Sequence, residues 1–370
     1  MRIKGPIPVP ALLLAVAAVA TAAIPGLGAP DRHGVQWIVS VALVAILFDG
    51  GMQIGRRAAN NALAEITSLG ILGTVLTTAA ITVFTHFAFA FTWYVAALVA
   101  TAVAPTDPAV VFSVLGGREL QGRSGTVLKG ESGANDPVGI ALMVSLVDAK
   151  RLSAGAAGPI AARFAIQLGV GLAVGLAVGE LLRWLHRRWP LSLAGAEPVR
   201  AVLLIAAGFV AAFLLHGSGF LAVFVAGVLL GDEEHAPMRP VRKAFDWLSA
   251  VAEVVAFVVL GLTVSLATIS HSDVWPAGLA IAAVLALVVR PVVGELCLWV
   301  GALRANERAF VSFAGLKGAV PILLGNLLLG APISNGQRYY SIIVVVVIVS
   351  VVVQGGLVPA AARRLRIAMR

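Results

Sequence analysis

The chain has 370 residues, of which 59% are hydrophobic and 12% charged; a soluble domain carries about 25% charged residues. This composition excludes a soluble globular protein and gives a polytopic membrane protein of one domain, residues 1–370. The net charge of +9 reflects basic loops on one side of a bilayer rather than a nucleic-acid partner, and a single cysteine, Cys297, excludes a disulfide framework.

Twelve stretches read as spans of an all-α fold, since runs of roughly 18 or more apolar residues recur to the end of the chain. They fall near 8–25, 35–55, 66–90, 93–115, 125–147, 159–185, 199–215, 217–231, 246–268, 275–300, 308–330 and 339–361. The first lacks a small-residue cleavage site before a polar start, so it reads as a span and not a signal peptide.

The second span carries Asp49 in Leu47-Phe48-Asp49-Gly50-Gly51, shortly before Arg56 and Arg57. It either lines a funnel or contributes a ligand, or it is an interfacial carboxylate beside a glycine turn. The fourth span is interrupted by Pro105-Thr106-Asp107-Pro108. The two prolines free the carbonyls of Thr101 and Ala104, and loose carbonyls are tolerated in a membrane only against protein or water. Such interrupted helices point to binding sites in secondary transporters.

The fifth span contains Glu131-Ser132-Gly133-Ala134-Asn135-Asp136-Pro137. Two carboxylates in hydrocarbon need a cation, a proton or a basic partner to neutralise them. At 100° per residue, Glu131, Ser132, Asn135 and Asp136 share one face about 140° wide, so their oxygens can converge on a small ligand. In the sixth span Gly171, Gly175 and Gly179 give the spacing of close helix packing, and Glu180 near Arg183 reads as structural. Glu253 interrupts the apolar ninth span and is a candidate to line a cavity.

Arg290, ahead of Pro291 in the tenth span, stays charged and pairs bidentately with carboxylates. Its candidate partners are Glu131 and Glu295, and Glu295 lies about 140° round the same helix, which favours Glu131 and leaves Asp136 to titrate. The eleventh span is interrupted at Gly315-Leu316-Lys317-Gly318-Ala319-Val320-Pro321. One broken helix in each half suggests an inverted repeat whose broken elements cross. There Lys317 offsets helix-end dipoles and carboxylates, or else snorkels near an interface. The histidines are scattered, with His86, His216 and His271 at span ends, so no transition-metal site is expected.

Loop charges test the span count. With the N-terminus inside, twenty lysines and arginines fall on the cytoplasmic side, including Arg123 and Lys129, against five outside, with Arg290 and Lys317 in spans. An even number of spans with both termini cytoplasmic follows.

These motifs, in this order from Ile46 to Pro321, resemble the NhaP-type branch of the monovalent cation/proton antiporter superfamily. The form Ser-Gly-x-Asn-Asp-Pro at 132–137 is most similar to its potassium/proton subgroup. The resemblance implies an inverted repeat with two crossed discontinuous helices in a mobile core, and a dimerising scaffold, hence a homodimer in the cell membrane. It implies that Asp136 is the carboxylate that binds cation or proton. Asn135 then stands where a second aspartate would make exchange electrogenic, Thr106, Asp107 and Ser132 surround the ion, and Asp49 contributes. It further implies that Glu131 and Arg290 form a structural ion pair, that Lys317 stands where arginine is usual, and that a first family helix with an external N-terminus is missing here.

The mechanism expected is competition at one carboxylate. Burial penalises the charged form of Asp136, so a proton or an alkali cation held by Asp136, Ser132 and Thr106 occupies it in turn, with no cofactor beyond the transported Na+ or K+ and H+. The rival readings are a cation channel, an intramembrane aspartyl protease using Asp107 and Asp136, and a non-catalytic membrane subunit.

Overall fold

Backbone amides in hydrocarbon must find partners within their own segment, and the apolar stretches are accordingly helical in the computed structural model. The structure describes residues 9–24, 31–116, 120, 122–152, 154–191, 195–233, 238–270, 273–299 and 301–369, among which no strand occurs beyond one bridge between Leu120 and Met369. The helices are α1 (Val9–Ala23), α2 (Arg32–Ile54), α3 (Leu63–Phe89), α4 (Trp93–Val103), α5 (Pro108–Val114), α6 (Arg123–Ala149) and α7 (Ala154–Arg188). They continue as α8 (Ala196–Leu214), α9 (Gly219–Leu230), α10 (Met238–Leu262), α11 (Val274–Leu298), α12 (Ala305–Phe313), α13 (Ala319–Leu328) and α14 (Gly336–Arg364).

Each of the twelve expected spans falls on one of these helices or on a broken pair. By length and apolarity, however, seven helices among the described residues can cross a membrane, or eight if α4 and α5 form one bent span. The shortfall has physical causes. α1 has 15 residues, the polar motif at 131–136 lowers the hydropathy of α6, α9 has 12 residues, and α12 and α13 have 9 and 10 on either side of a break.

Helix starts follow local side-chain chemistry. Asp31, Thr92, Asp107 and Ser218 each accept a hydrogen bond from an amide in the first turn that follows. Three spans contain a π-helical turn, at Ser68–Gly73, Leu285–Val289 and Ser350–Gln354. The second precedes Pro291, which has no amide to donate, so the widened turn absorbs the lost bond.

The helices form two groups. One packs α2 between α9 and α10, with α1 against α10 and α7 against α9; the other joins α3 to α4, and α11 and α13 to α14, around α6. In the first group backbones approach closely. A Cβ at Gly51 would strike the backbone of Phe224 and Val228, and one at Gly227 the carbonyl of Phe48. Gly171, Gly175 and Gly179 face Ser218, Ala222 and Ala226 of the α9 segment in the same way, the packing their spacing suggests.

Arg123 and Lys129 are not loop residues. Both lie in α6, where Arg123 grips the fully buried Glu65 with two hydrogen bonds of 2.7 and 3.1 Å. Arg2, Lys4, Arg118, Arg370 and His271 lie outside the described residues. After α9, Glu233 accepts from Arg183 at 2.9 Å and from Arg187 at 2.6 Å. Burial alone would raise its carboxyl, but the two guanidiniums hold it below the ordinary 4.5. A depressed carboxyl stabilises the fold above its unfolded pKa and loses that contribution as pH falls through the folded one. Thermal unfolding of wild type and Glu233→Gln should therefore differ most above about pH 5 and converge as pH falls through the depressed folded value. Gly227→Val should cost about 1–3 kcal/mol by overpacking, seen as a lower melting temperature in detergent.

Candidate functional site

Two broken helices cross at the centre of the second group. The chain turns by 47° between α4 and α5, and residues 314–318 separate α12 from α13. The amide of Asp107 donates to the carbonyl of Leu316 at 2.8 Å, which ties one break to the other. Helix ends carry partial charges of roughly half an electron, negative at the C-terminus and positive at the N-terminus, and both kinds meet here. Lys317 Nζ donates to the carbonyls of Ala104 at 2.8 Å and Pro105 at 3.0 Å, closing the end of α4. At 1% exposure Lys317 does not snorkel. Asp107 accepts from the amide of Ala109 at 2.8 Å and begins α5. Gly318 packs so close to this carboxylate that a Cβ there would overlap it. The backbone around the second break is satisfied from the π turn of α14: Ser350 Oγ accepts from the Lys317 amide at 3.0 Å, and Gln354 Nε2 donates to the Phe313 carbonyl at 2.7 Å.

Behind the crossing lies a buried polar layer. Asn135 Nδ2 donates to Thr106 Oγ1 at 2.8 Å, and the Thr106 amide donates back to Asn135 Oδ1 at 3.3 Å. Thr106 Oγ1 also lies 3.3 Å from Glu131 Oε1, and Ser132 Oγ donates to the Thr106 carbonyl at 2.6 Å. Arg290 Nη1 meets Glu131 Oε1 at 2.7 Å, with both side chains buried. The contact is single, not the expected bidentate fork. Glu131 Oε1 is shared with Thr106, the guanidinium lies against Gly315, and Arg290 Nε, Arg290 Nη2 and Glu131 Oε2 make no hydrogen bond. Glu295 pairs instead with Arg308 at 2.8 Å.

In front of the crossing, at the seam between the two helix groups, is a cavity of about 200 Å³. Asp136 and Ser132 reach it from α6, Asp107 from the head of α5, Asp49 from α2 and Glu253 from α10, with Lys129 on the same wall. Asp136 is 8% exposed and its Oδ1 has no hydrogen-bond partner. An orphaned buried carboxylate oxygen carries a desolvation cost that a bound cation or proton removes. Asp49 offers one oxygen to Gln53 Nε2 at 2.8 Å and leaves the other unpartnered. A larger surface groove of about 790 Å³ between the ends of α7 and α8 is lined by leucines and Arg200 with no carboxylate, so size does not locate the site.

The structure thus divides the residues singled out in the sequence. Asp136, Ser132, Asp107 and Asp49 share the cavity, whereas Thr106, Asn135, Glu131 and Arg290 lie behind its wall and face one another. Lys129, counted among loop charges, was missed as a cavity residue. Its signal was spacing, since 129, 132, 133 and 136 form one stripe on α6. Gln53 and Ser249, also at the cavity, carry no sequence signal of their own. Among the described residues no group of three His, Cys, Asp or Glu side chains is arranged to hold a metal ion.

Removing one member of a buried ion pair strands the other. Glu131→Ala and Arg290→Ala should each lower stability by about 3–5 kcal/mol, and the double variant by less than their sum. Urea or thermal unfolding of the four proteins measures this.

The transmembrane model of the sodium/hydrogen exchanger family matches residues 1–364. The K(+)/H(+) antiporter NhaP2 of Shewanella sp. (strain ANA-3) is 32% identical over 379 residues, covering 98% of this chain and 63% of its own length. The K(+)/H(+) antiporter NhaP of Alkalimonas amylolytica is 32% identical over 332 residues, covering 89% of this chain and 57% of its own. The chain therefore spans less than two thirds of these curated relatives. The structure of the sodium proton antiporter MjNhaP1 from Methanocaldococcus jannaschii at pH 8 shares the fold, with a TM-score of 0.79 at 19% identity over 96% of this chain and 92% of that one.

Proposed function

The chain belongs to the sodium/hydrogen exchanger family, and we propose that it is a carrier, not an enzyme, exchanging Na+ or K+ for protons across the cell membrane. The observation that carries this reading is the unpartnered oxygen of the buried Asp136, which faces a cavity at the crossing of two broken helices. A proton or a partly dehydrated alkali cation neutralises that carboxylate, and occupancy by one excludes the other. The Asp136 carboxylate and the Ser132 hydroxyl supply hard oxygen ligands. Thr106, held by Asn135 and Glu131, fixes Ser132 through its carbonyl, and Asp107 and Asp49 complete the negative field of the cavity. Glu131 and Arg290 hold the layer behind, and Lys317 closes the end of α4.

Because Asn135 is neutral, one titrating carboxylate takes either one proton or one monovalent cation, which makes the cycle electroneutral. The bias of basic loops supports cytoplasmic termini, with the cavity opening toward the cytoplasm at the start of α6 and the end of α2. The movement that alternates access is sliding of the group containing α6 and the broken helices against the group containing α2 and α10, since the cavity lies at their seam. A homodimer built on the second of these groups belongs to the same reading.

The channel reading is disfavoured because the cavity ends at a crossing sealed by Lys317 and by main-chain hydrogen bonds. The protease reading is disfavoured because Asp107 spends an oxygen capping α5, which leaves no symmetric carboxylate dyad.

In proteoliposomes with a proton-sensitive dye, adding Na+ or K+ should move protons in wild type, and Asp136→Asn should abolish that response while remaining folded. Clamping the membrane potential with an ionophore should leave the wild-type rate unchanged. Exchange retained by Asp136→Asn would remove the assignment, and a rate that follows the potential would remove electroneutrality.

A further inference from the structure

Among the described residues, Lys129 is the one basic side chain on the wall of a cavity whose other charged groups are carboxylates. It lies on α6 two turns, about 10 Å, before Asp136 and on the same face. Ser132 and Gly133 lie between them, and all four line the cavity. Its ammonium sits 5.2 Å from the centroid of the Phe112 ring on α5 and makes no ion pair among the described residues. The charged groups that share the space are Asp49 from α2, Asp107 from the head of α5, Asp136 from α6 itself and Glu253 from α10, while α13 contributes only Ala319 and Val320. Lysine carries a compact point charge with three donors on a flexible stem, so one ammonium can rest on the face of Phe112 and also swing toward the carboxylates. A fixed positive charge there opposes every cation that enters.

We propose that Lys129 is a tethered counter-cation of this cavity. With no transported ion bound, its ammonium neutralises the cavity carboxylates, and it sets the concentration at which an alkali cation replaces it. Lys129 is therefore a positioning and affinity-setting residue and not a ligand of the ion. The inference rests on the cation/proton exchange reading and adds a built-in competitor to it.

The test uses the purified full chain and two readouts: Na+- or K+-dependent proton movement in proteoliposomes, and the thermal shift the same cations give the detergent-solubilised protein. At alkaline pH, where protons do not compete, Lys129→Gln should lower the half-saturating cation concentration roughly ten- to twentyfold in both, the size Coulomb's law gives for like charges about 10 Å apart at an effective dielectric constant near 20. The maximal rate should change little, and Lys129→Arg, which keeps the charge, should match wild type. The pH profile of Lys129→Gln should shift as well, because cation and proton compete for the same carboxylates.

A cysteine variant guards against a folding artefact. In Lys129→Cys, a methanethiosulfonate bearing a trimethylammonium group should restore the weaker cation affinity, and a neutral methyl reagent should not. Equal half-saturation in wild type, Lys129→Gln and Lys129→Arg, or equal effects of the two reagents, would overturn the proposal. A wild type without exchange would overturn the antiport reading alone, since an affinity shift in the binding readout would still support Lys129.

Discussion

A broken helix in hydrocarbon leaves carbonyls and amides that nothing in the lipid can satisfy, and this protein meets that constraint twice at one place. The solution ties the two breaks together. Lys317, from the break between α12 and α13, closes the carbonyl end of α4, while Asp107, from the break between α4 and α5, caps α5 and packs on Gly318 at the start of α13. Lys317 brings its charge to the first break from the second, whereas Asp107 serves the first break's own helix and packs against the second. Charge-assisted hydrogen bonds of this kind are about twice as strong as neutral ones, and they allow irregular backbone to persist deep in the bundle.

Once the crossing is fixed, the two faces of α6 acquire different tasks. Glu131 and Asn135 turn toward Arg290 and Thr106, where their polar atoms engage in a buried layer. Ser132 and Asp136, rotated by about 100° from that pair, turn toward the cavity, where Asp136 keeps an oxygen without a partner. The structure therefore separates a carboxylate paired with Arg290 from one that keeps an unpartnered oxygen at the cavity. In the exchange cycle proposed above, that separation lets Asp136 alternate between charged and neutral while the layer behind it stays paired.

Much of this was readable in the sequence because the signals are local. Proline removes an amide wherever it stands, so both breaks could be placed from Pro105, Pro108 and Pro321. An arginine inside a span demands a carboxylate, and the helical angle to Glu295 left Glu131 as the better partner for Arg290. What could not be read depends on the rotation of α6 about its own axis. Gly130 against Ile66 and Gly133 against Phe224 set that rotation by contacts with distant segments, and it sends Asn135 to Thr106 rather than into the cavity. Lys129 was misread for a related reason. A lysine just inside a span boundary passes for a loop charge until the packing of α6 shows that it lines the cavity. The one-point contact of Arg290 with Glu131 was also beyond sequence, because the sharing of an oxygen with Thr106 is a tertiary fact.

The central claim is that a cation and a proton exclude each other at Asp136, and the most direct measurement is proton release on binding, without transport. Purified protein in weakly buffered detergent solution should release protons into a pH indicator when Na+ or K+ is added, and Asp136→Asn should release none. The release should shrink as the starting pH rises and the site empties of protons. Saturable cation binding with no proton release at any pH, or release that survives in Asp136→Asn, would contradict the account.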